Sequence, residues 1–315
     1  MAWIEPQAWT GRVDGQGPQH ARWHDTIRPW TAEGAAGTTL IGFASDEGVR
    51  RNQGRPGAAD GPRALRRALS SLALQQELRL YDAGDVEVTD GDLEGAQAEF
   101  GRLVAGCLRH GDRTIGLGGG HEIAYASYLG VREALGSQAR WSLGILNVDP
   151  HFDLREAPHS TSGTGFRQIA LAEREVGRTF HYAAVGISET SNTRALFQCA
   201  DDWGVKYLAD DECRLDRLES VLGFVRDFIA QVDHVYLTID LDALPASVAP
   251  GVSAPAAMGI APEVVQALVE EVARSGKLRH ADVAELSPRL DADDRTARVA
   301  ARLVQRIASS RGGAA

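Results

Sequence analysis

The sequence predicts an α/β fold, a mostly parallel sheet covered by helices on both faces. Three observations lead there. Eight short apolar runs recur along the 315 residues, six amphipathic helical stretches are interleaved with them, and no repeat, linker or break in composition divides the chain. Strands that alternate with helices are joined by crossovers, which bring parallel pairing and burial of both sheet faces. One α/β domain spanning 1–315 is therefore expected, with 1–36 as an irregular extension rich in Trp, Gly and polar residues. That extension is read as a wrap over a surface or a contact between subunits.

The elements follow in order. Thr38–Phe43 reads as the first buried strand, and a long polar loop, Ser45 to Gly61, follows it. Pro62–Leu74 carries Leu and Ala at helical spacing, with Pro62 suited to a first turn. Further strands are expected at Leu78–Tyr81, Arg113–Leu117, Leu143–Val148, His181–Val185, Val205–Leu208, His234–Leu241 and His280–Glu285. Helical patterns occupy Leu93–Arg109, Ile123–Leu135, Arg217–Gln231, Pro262–Ser275 and Arg295–Ile307. In such sheets ligands sit beyond the carboxyl ends of the strands. The acidic motifs of this chain fall there.

Bulk properties narrow the function classes. The chain is 43% hydrophobic, enough for a sizeable core, and carries a formal net charge of −10. That charge argues against nucleic acid as a partner, since phosphate affinity needs clustered Lys and Arg, but a small anionic substrate needs only a local basic pocket. Cys107, Cys199 and Cys213 are widely spaced and lack any CxxC pattern, which suits free thiols in a reducing compartment. The N-terminus shows no secretory pattern, and no apolar run is long enough to span a membrane. A cytoplasmic protein without a membrane partner is expected.

Four stretches carry the chemistry. Asn147-Val148-Asp149-Pro150-His151-Phe152-Asp153 ends an apolar run and sets Asp, His and Asp at alternate positions. In an extended backbone those side chains point to one side. Ile239-Asp240-Leu241-Asp242 repeats the arrangement after a second apolar strand. Gly118-Gly119-Gly120-His121 follows a third strand, and Glu285 ends a fourth. A glycine run alone marks no more than a turn with positive φ, and two buried carboxylates without cations are costly. Together the stretches offer two His and four Asp, whose charge balances two divalent cations. Such oxygen-rich ligands without thiolate suit Mn²⁺, with Zn²⁺, Co²⁺, Ni²⁺ and Fe²⁺ also compatible. A water shared by two such ions would lose a proton near neutral pH and act as a nucleophile, so hydrolysis follows.

These motifs, GGGH, DPHFD, DLDA and AELSP, resemble those of the ureohydrolases, the family of arginase, agmatinase and formimidoylglutamase. The family's usual second motif is D-A-H-x-D, so Pro150 replaces a small residue. The resemblance implies a three-layer α/β/α sandwich with a parallel sheet of about eight strands, two Mn²⁺ ions per subunit, and a homo-oligomer. Carried over position by position, His121, Asp149, Asp153 and Asp240 would hold one ion. His151, Asp149, Asp240 and Asp242 would hold the other, with Asp149 and Asp240 shared.

Within the family, Gly42–Arg55, Ser162–Ile169 and Asp291–Ala297 resemble the formimidoylglutamase branch. Arginases and agmatinases place a catalytic His where this chain has Ser162, and Ser cannot shuttle protons near pH 7 as His can. His159 reads as an exposed loop residue. Arginase-like members place a neutral amide where this chain has Arg155. A guanidinium clamp suits the carboxylates of N-formimidoyl-L-glutamate. Arg167 is a second candidate contact, whereas Arg51 and Arg55 read as surface groups. The implied reaction, belonging to histidine breakdown, adds hydroxide to the formimidoyl carbon, with Glu285 holding the amidinium and Asp153 passing a proton to the departing nitrogen. L-Glutamate and formamide result. Urea release by an arginase, agmatinase or guanidino-acid hydrolase is the alternative within the family. A metal-stabilised binding protein that has lost catalysis is the alternative outside enzymes.

Overall fold

Ten strands form one sheet in the computed structural model, which describes residues 2–136 and 140–310. In chain order the strands are β1 (Ala2–Ile4), β2 (Arg28–Pro29), β3 (Thr38–Ala44), β4 (Leu80–Glu87), β5 (Arg113–Gly118), β6 (Leu143–Val148), β7 (His181–Ile187), β8 (Lys206–Ala209), β9 (His234–Asp240) and β10 (Leu278–Ala284). Eight of them run in the order β4-β3-β5-β10-β9-β6-β7-β8, every neighbouring pair parallel. All six residues of β6 are buried, the unbroken burial that a strand covered on both faces requires.

The helices are α1 (Trp23–Thr26), α2 (Glu47–Arg51), α3 (Gly61–Ser70), α4 (Leu93–His110), α5 (Ile123–Leu135), α6 (Gly165–Glu175), α7 (Arg194–Asp202), α8 (Leu218–Ala230), α9 (Pro262–Arg274) and α10 (Arg295–Ser309). One core is built under α3, α8, α9 and α10, from residues such as Leu69, Val225, Val265 and Val304. The other lies under α4, α5, α6 and α7, around Phe100, Tyr128, Phe166 and Leu196. Two cores on opposite faces of one sheet make the three-layer α/β/α sandwich. Asp92 caps α4 by accepting from Gly95 N at 3.0 Å, and Gly111 ends it in a left-handed conformation, φ 100°. Among the described residues, no helix is long and apolar enough to cross a membrane.

Three features differ from the sequence-based expectation. Strand β4, expected to end at Tyr81, runs on to Glu87, where Asp82 and Asp85 are both paired to Arg66 from α3. Helices α6 and α7 are not expected from the sequence and are present. The first 36 residues, expected to be irregular, contain α1 and two short strands that pair with β4, one antiparallel and one parallel. They occupy the edge of the sheet that would otherwise present free backbone groups. Trp indoles fasten them: Trp3 donates to Ala83 O at 2.9 Å, Trp9 to Asp82 Oδ2 at 2.8 Å and Trp30 to Asp112 Oδ2 at 2.7 Å.

Arg66 joins this edge to α3. Its guanidinium donates twice to Asp82, at 2.8 Å each, and once to Asp85 at 2.6 Å, with the Asp82 side chain 1% exposed. Removing one partner of a buried pair leaves an uncompensated charge. Arg66→Ala is expected to cost about 3–5 kcal/mol in urea unfolding. A change below about 1 kcal/mol would mean that the cluster is solvated in solution.

Candidate metal centre

The four central strands β5, β10, β9 and β6 are neighbours, so their carboxyl ends form one continuous rim. Every acidic motif sits on that rim. After β5 the glycine run is drawn between two other strand ends: Gly119 N donates to Phe43 O at 2.7 Å, Gly120 N to Ser45 O at 2.9 Å, and Glu285 N to Gly119 O at 2.8 Å. A Cβ on Gly119 would stand 1.8 Å from Ser45 O, so close approach demands the glycine. Neither Gly119 nor Gly120 has a left-handed backbone, which replaces the reading of this run as a turn with positive φ.

The loop delivers His121 into a ring of carboxylates. Its Nδ1 lies 3.1 Å from Asp149 Oδ2, 3.0 Å from Asp153 Oδ2 and 3.2 Å from Asp240 Oδ2. His151 Nδ1 lies 3.3 Å from the other oxygen of Asp149 and 3.5 Å from Asp242 Oδ2. The ligand atoms of His121, Asp149 and Asp153 fall within 4.8 Å of one another, as do those of Asp149, His151 and Asp242. Asp149 belongs to both groups and turns one oxygen to each histidine.

Convergence is as expected, but its cause is not strand alternation. β6 ends at Val148, and Asp149 to Asp153 form a loop in which Asp153 is left-handed, φ 49°. Asp240 is the last residue of β9, and Asp242 lies in the single 3₁₀ turn Leu241–Ala243, its N–H donating to Asp240 Oδ1 at 2.9 Å. Glu285 is left-handed too, φ 70°. Such a conformation costs on the order of 1 kcal/mol in a residue with a side chain, and it persists where the surroundings over-determine it. For the loop of Asp153, Asn192 and Tyr182 do so: Asn192 accepts from Phe152 N at 3.1 Å and donates to Pro150 O at 2.8 Å, and Tyr182 donates to Phe152 O at 3.1 Å. Neither residue stood out in the sequence, because nothing local marks a side chain that braces a distant loop.

Burial and mutual charge set the electrostatics. Burial raises Asp242 and Glu285 well above the usual carboxylate range, and the charge of Asp240 adds to both. Burial and then Asp149 carry Asp153 up to about 6. Burial opposes ionisation of Asp149 as well, but hydrogen bonds with His121 and His151 outweigh it and hold Asp149 low. Burial disfavours charged histidines, yet Asp149 and its neighbours overcome it, raising His151 to about 9 and His121 well above its ordinary value.

Unpaired atoms show what this cluster fits. Asp242 Oδ1 and Glu285 Oε2 are buried without a hydrogen-bond partner. Each such atom costs roughly 1–3 kcal/mol unless something binds it. Two imidazoles and several carboxylates, with no thiolate, fit a pair of divalent cations of the Mn²⁺ or Zn²⁺ type.

A cavity of about 200 Å³ opens over the cluster. His121, His151, Asp153, Asp240, Asp242 and Glu285 line its floor. Arg155 and Ser162 line its wall, and Arg155 is the only Lys or Arg among the described lining residues. Ser162 Oγ accepts from Asn52 Nδ2 at 3.1 Å. Asn52 and Ser253 also face the cavity and were not singled out beforehand. Asn52 lies in a stretch that carried the family resemblance, whereas nothing local marks Ser253.

Arg167, expected as a substrate contact, does not line the cavity. Its guanidinium pairs with Glu156 at 2.9 Å and lies 5.5 Å from the centre of the Trp203 ring, because its place on α6 carries it away from the loop of Arg155. Arg51 is held by Glu47 and Glu94, and Arg55 by the carbonyls of Val252 and Ser253, as surface and structural groups would be. His159 is exposed.

A parallel α/β/α sandwich with two His and four Asp gathered on its rim defines a class, and residues 36–309 match the Arginase family model. This chain belongs to the arginase family. It is 53% identical over 309 residues to a formimidoylglutamase of Rhodococcus jostii, a match covering 98% of this chain and 97% of the relative. Among solved structures, a formiminoglutamase of Trypanosoma cruzi determined with Mn²⁺ superposes with a TM-score of 0.78 at 27% identity, covering 87% of this chain and 92% of the other. The formimidoylglutamase of Bacillus subtilis shares the fold with a TM-score of 0.82 at 23% identity, over 96% of each chain.

Proposed function

We propose that this chain hydrolyses N-formimidoyl-L-glutamate to L-glutamate and formamide with two Mn²⁺ ions per subunit. What carries the reading is the gathering of His121, His151 and four Asp on one rim, in a chain with full-length likeness to formimidoylglutamases. His121, Asp149, Asp153 and Asp240 are proposed to hold one ion, and His151, Asp149, Asp240 and Asp242 the other. When bound, two such cations supply balancing charge and a water acidified toward its hydroxide form.

The protein groups then have distinct tasks. Glu285 Oε1 accepts from His121 N at 2.8 Å, which leaves Oε2 to accept an N–H of the amidinium. That charge-assisted contact orients the formimidoyl carbon over the cluster and strengthens as the carbon becomes tetrahedral. Water oxygen bonds to that carbon as Asp153 takes one of the water's protons; the bond to the α-nitrogen then breaks as Asp153 passes that proton to the nitrogen, and the second water proton, released as the carbonyl of formamide forms, also ends on the glutamate amine. At the wall, Arg155 offers its guanidinium to a substrate carboxylate. Ser162 Oγ already accepts from Asn52, so its own proton is free to join that contact.

Two measurements test the reading. A product assay with added Mn²⁺ should yield formamide from N-formimidoyl-L-glutamate and no urea from arginine, agmatine or 4-guanidinobutyrate. The opposite pattern would move the chain to the guanidine-hydrolysing members. Arg155→Ala should raise KM for N-formimidoyl-L-glutamate about 10–100-fold with kcat little changed, the loss of roughly 1.5–3 kcal/mol of charged hydrogen bonding. Equal effects on a neutral formamidine would show that Arg155 clamps no carboxylate. A homo-oligomer is also proposed, and sedimentation of the Mn²⁺-loaded protein checks it.

A further inference from the structure

Next to the cluster lies a second set of polar groups that the hydrolysis does not use. Thr114 of β5, Tyr236 and Thr238 of β9, His280 and Asp282 of β10, and Ser127 of α5 are each 0% exposed, and none lines the cavity. Their hydrogen bonds order the protons. Ser127 Oγ donates to Asp282 Oδ2 at 2.6 Å, and Tyr236 OH donates to the same oxygen at 2.6 Å. With its own proton committed, Ser127 accepts from His280 Nε2 at 2.9 Å, so His280 Nδ1 is the acceptor for Thr114 Oγ1 at 2.7 Å. Burial pushes the Asp282 carboxyl up, but His280, Ser127 and Thr238 more than offset it and keep it anionic.

The parallel register of β10 on β9 sets Asp282 directly opposite Thr238. Thr238 Oγ1 lies 2.9 Å from His121 Nε2, the ring nitrogen turned away from the carboxylates. With an anionic carboxylate on the neighbouring strand, the Thr238 hydroxyl turns its proton toward that strand and its lone pair toward the ring. We infer that Thr238 is a positioning residue for the cation site: it accepts a hydrogen bond from His121 Nε2 and so leaves Nδ1 as the nitrogen that binds a cation among Asp149, Asp153 and Asp240. The buried network beside the sheet thereby orients one ligand and selects its tautomer, as carboxylate partners do for metal-bound histidines generally.

This inference rests on the two-cation reading of the cluster. Wild-type chain that took up no Mn²⁺ in calorimetric titration after chelation would sink that reading and the inference with it. Given wild-type uptake, Thr238→Val, which keeps shape and loses the hydroxyl, should bind Mn²⁺ about 10–100-fold more weakly. Thr238→Ser, which keeps the hydroxyl, should restore binding to within about 3-fold of wild type, a split that packing alone would not produce. Wild-type affinity in Thr238→Val, or equal weakening in both variants, would overturn the inference. Should Thr238→Val not fold, the wild type itself decides. Its Zn²⁺-loaded form should show a slowly exchanging, downfield NMR signal for the His121 Nε2 proton, and rapid exchange there would overturn the proposal.

Discussion

Asp149→Ala is expected to abolish turnover and to leave the protein unable to hold two equivalents of Mn²⁺. Asp149 is 0% exposed and presents Oδ2 to His121 at 3.1 Å and Oδ1 to His151 at 3.3 Å, so both halves of the cluster depend on it. It also fixes the loop, because Oδ1 accepts from His151 N at 2.7 Å and Oδ2 from Asn147 Nδ2 at 2.9 Å. Without paired cations the attacking water would no longer be acidified, and the nucleophile would be lost. A fall of about 10⁴-fold or more in kcat/KM is expected, about 5.5 kcal/mol of transition-state stabilisation. Metal analysis after gel filtration and a formamide assay provide the check. Near-normal activity with two equivalents of Mn²⁺ bound would refute the shared-ligand role.

The second large effect concerns pH and metal removal. In the metal-free protein Asp242 and Glu285 are raised by burial and by Asp240, Asp153 is raised to about 6, and Glu122 is raised to about 7 by burial. For a carboxyl raised on folding, the native state binds more protons than the unfolded chain above the ordinary pKa. Its contribution is present at low pH and is lost as pH climbs through the folded value. His151, raised to about 9 by Asp149, stabilises below its ordinary pKa and loses that contribution as pH rises toward 9. Asp149 acts oppositely, but its gain is complete by the ordinary carboxylate pKa. The metal-free protein should therefore lose stability steadily between about pH 5 and pH 9. Cations bind the ionised carboxylates and displace those protons, so Mn²⁺ should raise Tm more at pH 8 than at pH 5. At 100 times its Kd an ion adds about 2.7 kcal/mol per site. Thermal unfolding with chelator and with Mn²⁺ across this range measures both slopes. A metal-free Tm that rises with pH over the same interval would contradict the assignment.

The alternation of apolar runs with helical stretches carried the sandwich, because a strand buried on both faces is mostly apolar, as Leu143–Leu146 of β6 shows. The edge was harder to read. Asp82 and Asp85 look like the end of a strand until Arg66 of α3 is brought against them, and the Trp-rich first residues acquire order only by pairing with β4. Helices α6 and α7 take their place from the core they dock on, around Phe166 and Leu196.

The chemical identities of the cluster were decided by sequence alone: two imidazoles and four carboxylates at the ends of apolar strands, in spacings that no solvated loop explains well. The tertiary structure decided how they meet. Asp153 and Glu285 reach the rim through left-handed backbones, His121 through glycines pressed against Ser45 and Phe43, and Asp242 through a single turn. It also separated Arg155, which faces the cavity, from Arg167, which pairs with Glu156, and it joined Thr238 to His121 across 117 positions of chain. Local sequence encodes what a residue can bind and which element it rides on. Which distant group it meets depends on the order in which parallel strands are laid side by side, and no local pattern carries that information.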